Sequence, residues 1–136
     1  MKYSITLLLA GVSLLLGCAT ARHADQPAGS LTVRIPSGLD FTANEADFRI
    51  LVDGRFVGNC NPDGTVLELP TGMHAVVVET SSAYQRRVQP NGSVEIRNFA
   101  LRGEEHIEVL GGGSKQSVVF NDQNLKSKEI EGNDRP

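Results

Sequence analysis

Residues able to do chemistry are few in this chain, and they are widely spaced. Of the two cysteines, Cys18 stands at the end of an apolar run, and Cys60 sits in a turn-rich stretch with no histidine or other base close to it in sequence. A thiol in that setting can be an inert buried residue, one half of an intermolecular disulfide, or a nucleophile; the lack of a neighbouring base favours the inert reading. Asn59-Cys60-Asn61-Pro62-Asp63-Gly64 places oxygens ahead of a glycine, as calcium loops do. However, the first position lacks Asp, Pro62 stiffens the segment, and Pro70 stands where a bidentate Glu belongs. A plain turn is therefore expected. His23, His74 and His106 form none of the close ligand pairs that zinc requires and read as structural histidines. Ser81-Ser82 lacks a nucleophile elbow, and Gly111-Gly112-Gly113-Ser114-Lys115 has neither phosphate-loop spacing nor a following helix, so both read as flexible loops. Arg86-Arg87 and Glu104-Glu105 read as solvated positions that can mark one face of a partner interface. No catalytic residue, metal site or cofactor is expected.

The elements that must position these groups fit in one domain, because 136 residues allow one core and hardly two. Hydrophobic residues at 40% are near the globular average, which excludes disorder throughout. Aromatics at 5% with no Trp exclude stacking platforms for single strands, and a formal net charge of −3 leaves no basic excess for a nucleic-acid partner. No small-molecule substrate is evident.

Lys2 precedes the apolar run Ile5 to Leu16, the charge and core of an export signal and too short for a confident membrane span. Leu15-Leu16-Gly17-Cys18 resembles the bacterial lipobox. That resemblance implies cleavage after Gly17 and a lipidated Cys18 as the first mature residue, held stably because two or more acyl chains are attached. Ala19 in place of Asp is similar to the arrangement in lipoproteins sent to the outer membrane of Gram-negative bacteria. Removing residues 1–17 takes away Lys2, so the net charge becomes −3 − 1 = −4, and a mildly acidic body has no net attraction to anionic lipid. Residues 18–30 then read as the lipidated cysteine and a flexible tether, and 121–136 as a polar solvated tail with at most one fraying helical turn around Leu125 to Ile130.

Between residues 31 and 120 short alternating or β-branched runs are separated by strong turn signals, and no run of helical period is long enough to matter. Strands are predicted at Leu31 to Ile35, at Phe48 to Asp53 and Arg55 to Gly58 joined by an Asp53-Gly54 turn, and at Thr65 to Leu69. Further strands are predicted at Met73 to Glu79 (apolar on both faces, hence central and doubly buried), Tyr84 to Gln89, Ser93 to Phe99, Glu104 to Leu110 and Gln116 to Phe120. Breaks are expected at Pro90-Asn91-Gly92, Arg102-Gly103 and Gly111-Gly112-Gly113. The sum is an all-β, small antiparallel sandwich of the immunoglobulin-like kind.

Ile50-Leu51-Val52-Asp53-Gly54-Arg55-Phe56-Val57-Gly58 with Pro62, then Leu69-Pro70-Thr71-Gly72-Met73-His74-Ala75-Val76-Val77-Val78 and Tyr84, resembles the PEGA domain over residues 31–84. The namesake tetrapeptide is absent, Pro36-Ser37-Gly38-Leu39 being its nearest counterpart. The resemblance implies a non-enzymatic surface or envelope module of β-sandwich form. With the anchor signal it points to a lipid-anchored envelope protein that contacts another envelope component. The alternative is a glycan- or peptidoglycan-binding lipoprotein, weakened because only Tyr84 would remain as a tyrosine after the signal takes Tyr3.

Overall fold

The computed structural model describes residues 28–131; Gly17, Cys18, His23 and the tether up to residue 27 lie outside the described residues. Eight strands run in the order β1 (Ala28–Arg34), β2 (Arg49–Val52), β3 (Arg55–Asn59), β4 (Thr65–Pro70), β5 (Gly72–Val88), β6 (Val94–Val109), β7 (Lys115–Val119) and β8 (Leu125–Ile130), with a single 3-10 turn at Glu45–Asp47. They form a three-stranded sheet in the order β4-β1-β7 and a five-stranded sheet in the order β3-β2-β5-β6-β8. The fold is an all-β sandwich. All ladders are antiparallel except β1–β7, which is parallel, against the expectation of a purely antiparallel sandwich.

Alternation decides which side chains meet between the sheets, since successive residues of a strand point to opposite faces. Leu31 and Val33 of β1 pack there against Ile50 and Val52 of β2, Val76 and Val78 of β5, and Leu101 and Val109 of β6, with Phe48 and Phe120 closing the core from the connecting segments. Asp53-Gly54 makes the expected tight turn, with both residues at positive φ (51° and 80°) as a type I′ hairpin requires.

Further features differ from the sequence reading, each for a local reason. First, β1 begins three residues earlier, inside the stretch assigned to the tether. Gly29 passes so close to the end of β6 that a Cβ there would lie 2.4 Å from the Leu110 carbonyl oxygen, and the Ser30 N–H donates to the Ser114 carbonyl at 2.9 Å. Second, the strands predicted on either side of Ser81-Ser82 are one strand, β5; the serines form a bulge between Thr80 and Ala83, where the Ser82 N–H donates to Thr80 Oγ1. Third, Arg102-Gly103 does not break β6. Gly103 faces the core, and its missing side chain makes room for the Phe120 ring, whose Cδ1 lies 2.6 Å from where a Cβ would stand. Fourth, Leu125–Ile130 is neither solvated tail nor helical turn but edge strand β8, paired with β6 from Leu125↔Gly103 to Ile130↔Asn98. An Asn121–Asn124 turn delivers it: the Leu125 N–H donates to the Asn121 carbonyl at 2.9 Å and the Asn121 N–H to Asn124 Oδ1 at 2.7 Å. Moreover, β5 is central in its sheet as expected and Val76, Val77 and Val78 are buried in succession, whereas Met73 at its start is exposed.

Candidate functional site

The histidine in β5 and the aspartate of the β2–β3 turn are built by the fold into a polar cluster at the sandwich end. His74 Nδ1 lies 2.6 Å from Asp53 Oδ2, and Nε2 lies 2.7 Å from the Pro70 carbonyl oxygen. The other carboxylate oxygen, Oδ1, accepts from the Ala75 N–H at 3.0 Å, while the Asp53 N–H donates to the Ala75 carbonyl at 2.9 Å. A neutral imidazole has one donor, yet both partners of this ring accept only, so the imidazolium is the form that satisfies both. Accordingly the hydrogen bond from Asp53, helped by the Pro70 carbonyl, raises the His74 pKa against some desolvation, and the same bond lowers that of Asp53. The His74 side chain is 12% exposed and that of Asp53 52%. With both ring nitrogens engaged, His74 has no free atom with which to accept or deliver a proton. It clamps the β2–β3 turn to the β4–β5 turn.

Cys60 stands at the other end of the same hairpin. It follows Asn59, which pairs with Arg49, whereas His74 grips the turn at Asp53. The thiol is buried, its backbone N–H donates to the Phe48 carbonyl at 2.9 Å, and desolvation pushes its pKa up to about 11. The structure thus separates the thiol from the histidine and surrounds it with core. The stretch compared with a calcium loop is a turn: the Gly64 N–H donates to the Asn61 carbonyl at 2.9 Å with Gly64 at φ +97°, and the Asn61 N–H donates to Thr65 Oγ1. Among the described residues no three His, Cys, Asp or Glu side chains converge as a metal would need.

The paired charges separate by face, as alternation demands. Glu104 points outward and pairs with Arg102 and His106, each at 3.2 Å, while Glu105 points inward and accepts from Asn124 Nδ2 at 3.2 Å. Arg86 lies opposite Ile96, and Arg87 opposite Glu95. Arg102 and Arg49 flank Glu79 at 4.0 and 3.7 Å across three adjacent strands. The glycine loop after β6 turns with Gly112 and Gly113 both at φ +73°.

The feature that residue-by-residue reading missed is an arm. Beyond the Thr42–Tyr84 bridge and the Asn98–Ile130 pair, the β5–β6 hairpin has no third strand on either side among the described residues. One of its faces carries Gln85, Arg87, Glu95 and Arg97, the last in a forked ion pair with Glu129 of β8. The other carries Tyr84, Val88, Val94 and Ile96, next to Ile130 of β8, at 37%, 64%, 45%, 60% and 40% exposure. The arm is amphipathic in the sense opposite to need: its polar face continues the core side, and among the described residues nothing covers its apolar face. The alternation that reveals it was visible in Tyr84 to Gln89 and Ser93 to Phe99, but the absence of a covering layer was not.

No protein-family model matches this chain, and no curated protein or solved structure is significantly similar to it.

Proposed function

We propose that the chain is a non-enzymatic, lipid-anchored protein of a bacterial cell envelope, with the outer membrane as its site and another envelope component as its partner. The observation that carries this reading is Leu15-Leu16-Gly17-Cys18 closing the twelve-residue apolar run Ile5 to Leu16, with Cys18 ten residues ahead of the first strand at Ala28. Ten residues of tether reach at most about 35 Å. The folded body therefore stays close to the bilayer, where two-dimensional confinement raises its effective concentration toward membrane partners. The surroundings of the two candidate chemical groups favour a passive role: the Cys60 thiol is buried with a raised pKa, and both His74 nitrogens are occupied. Recognition would use the exposed faces and strand edges of the sandwich.

The test is the intact mass of the chain extracted from membranes, beside Cys18→Ser. The expected result is a chain beginning at Cys18 with acyl groups attached, and a Cys18→Ser chain without them that leaves the membrane. An unacylated, freely soluble parent would overturn the reading. Retention on purified peptidoglycan, with no protein partner captured, would favour the glycan-binding alternative.

A further inference from the structure

Ala28, where the tether meets the fold, pairs with Pro70 and accepts from Gly113 N–H, so it lies at the sandwich end that holds the β4–β5 turn and the β6–β7 loop. β5 starts at that same end with Gly72 opposite Val109 and runs away from it for seventeen residues, about 50 Å. The arm is thus the part of the molecule farthest from the tether.

Charge is not spread evenly over the outer face of the five-stranded sheet. On the half nearer the tether, β6 presents Glu104, which is paired with Arg102 and His106, and Glu108. Toward the arm the outward positions are Arg86 on β5 and Lys126 and Lys128 on β8, opposite Arg102 and Ala100, and these three cations make no ion pair among the described residues. Among the described residues the outward acidic side chain there, Glu79, is taken by Arg49 and Arg102, with Asp47 beside it, and Glu131 follows Ile130 at the edge of the arm. A chain of net charge −3 has therefore gathered unpaired cations around its exposed Val88, Val94, Ile96 and Ile130. A second copy would oppose cations to cations if it packed on this face, so charge argues against self-association here. An anionic, amphiphilic surface fits both properties at once.

We propose that the arm face formed by Tyr84, Arg86, Val88, Ile96, Lys128 and Ile130 docks on an anionic phospholipid surface, laying the domain over the bilayer in which it is anchored. This rests on the lipid-anchor reading, because the tether is what keeps that surface within reach. The dimensions allow it. Ala28 belongs to the three-stranded sheet, stacked about 10 Å behind the five-stranded one. A tether of up to about 35 Å spans the resulting height with slack. Aromatic and aliphatic side chains then sit at headgroup level, and the two lysines and Arg86 meet phosphate. Glu108, on the other half of the face, has no cation gathered around it among the described residues as the arm has, so the contact is made arm first.

The test uses the chain from residue 18 onward with Cys18→Ser, which keeps all eight strands and the whole buried core and cannot be acylated. It is sedimented with vesicles of phosphatidylcholine, with and without phosphatidylglycerol. The expected result is binding that depends on phosphatidylglycerol and weakens at least about tenfold in Arg86→Glu/Lys128→Glu and in Val88→Ser/Ile96→Ser. Both variants are expected to melt with the parent, because these side chains are exposed. Arg55→Glu, at the far end of the sheet, changes net charge equally to a single arm substitution and is expected to alter binding by less than about twofold. The proposal is overturned by a parent that ignores phosphatidylglycerol vesicles, by variants that bind as the parent does, or by an equal loss in Arg55→Glu. It is also overturned if soluble polyglutamate occupies the face while vesicles do not, which would assign it to an acidic polypeptide. The mass measurement on Cys18 is separate, so failure of the anchor and failure of the arm are told apart.

Discussion

Removing the charge from Asp53, or the ring from His74, tests the clamp at the tether end of the sandwich. Asp53→Asn is informative because Asn-Gly suits the type I′ turn at least as well as Asp-Gly, and Asn can still accept from the Ala75 N–H. Turn chemistry is kept and only the charge on the 2.6 Å bond to His74 Nδ1 is lost. A hydrogen bond to a charged partner contributes about 1.5–3 kcal/mol. The Asp53 carboxylate is half exposed and therefore screened, which brings the expectation to about 1–2 kcal/mol. In a domain of this size that corresponds to a fall in Tm of roughly 4–15 °C. The sign of the pH dependence follows from the directions of the two shifts. His74 has a folded-state pKa above its ordinary 6.5, so its contribution is complete below pH 6.5 and is lost as pH rises through the raised value. Asp53 has a folded-state pKa below its ordinary 3.8, so its contribution is present above that pH and is lost as pH falls through the lowered value. The clamp is complete between these limits, from pH 3.8 to 6.5. Urea titrations at pH 5.5, 7 and 9 on the parent, His74→Gln and Asp53→Asn measure it. The parent is expected to lose stability relative to both variants as pH rises, and the three curves should converge in alkali. A His74→Gln curve that runs parallel to the parent across this range would refute the argument that the ring is held as an imidazolium.

Two further predictions concern the core. Gly103→Ala forces a methyl group against the Phe120 ring, 2.6 Å from Cδ1, and is expected to destabilise by about 1–3 kcal/mol; combining it with Phe120→Leu, which withdraws ring atoms from that spot, is expected to cost less than the sum of the two changes, as read in a double-mutant cycle. Cys60, buried with its pKa at about 11, is expected to resist iodoacetamide at pH 8 in the native chain and to react at once in denaturant; fast labelling of the folded chain would show that the loop opens.

The hydropathy pattern recovers what burial dictates. Leu31 and Val33, Ile50 and Val52, and Val76 and Val78 alternate or cluster as core strands must, and the Asp53-Gly54, Asn61-to-Gly64 and Pro90-Asn91-Gly92 turns fall where their backbone chemistry places them. It fails where a residue's reason lies in a distant part of the chain. Gly103 looks like a breaker until Phe120 is seen to need its space. Ser81-Ser82 looks like a loop, because a bulge and a turn draw on the same small polar residues. Leu125–Ile130 holds almost nothing to bury, yet the open edge of β6 supplies backbone partners for it, and Arg97 fixes Glu129 beside it. Likewise the clamp joins residues twenty-one positions apart, and nothing local to either Asp53 or His74 announces the other.

The arm shows why the functional surface was harder to read than the core. Val88, Val94 and Ile96 are the same residue types as Val76 and Val78 in the same hairpin, but after the bulge they lie on the outer face, opposite the side that Val76, Val78, Ala83 and Phe99 turn to the core. A period of two states that one face of a strand is apolar, but not whether a second sheet covers that face. Here the three-stranded sheet is short, since β1 spans seven residues, β4 six and β7 five, whereas β5 and β6 span seventeen and sixteen. The longer hairpin must outrun its cover, and the bulge at Thr80 to Ala83 falls near the place where it begins to do so. Beyond that point the face continuous with the core carries Gln85, Arg87, Glu95 and Arg97, the apolar side chains stand on the opposite face, and a two-stranded hairpin in that state is marginal in water by itself. Charge is what distinguishes the two halves: Arg86 and the lysines of β8 border the uncovered part, where a buried strand would carry none. An apolar run on the outer face, bordered by cations that make no ion pair among the described residues, is better suited to a partner outside the fold than to the core within it.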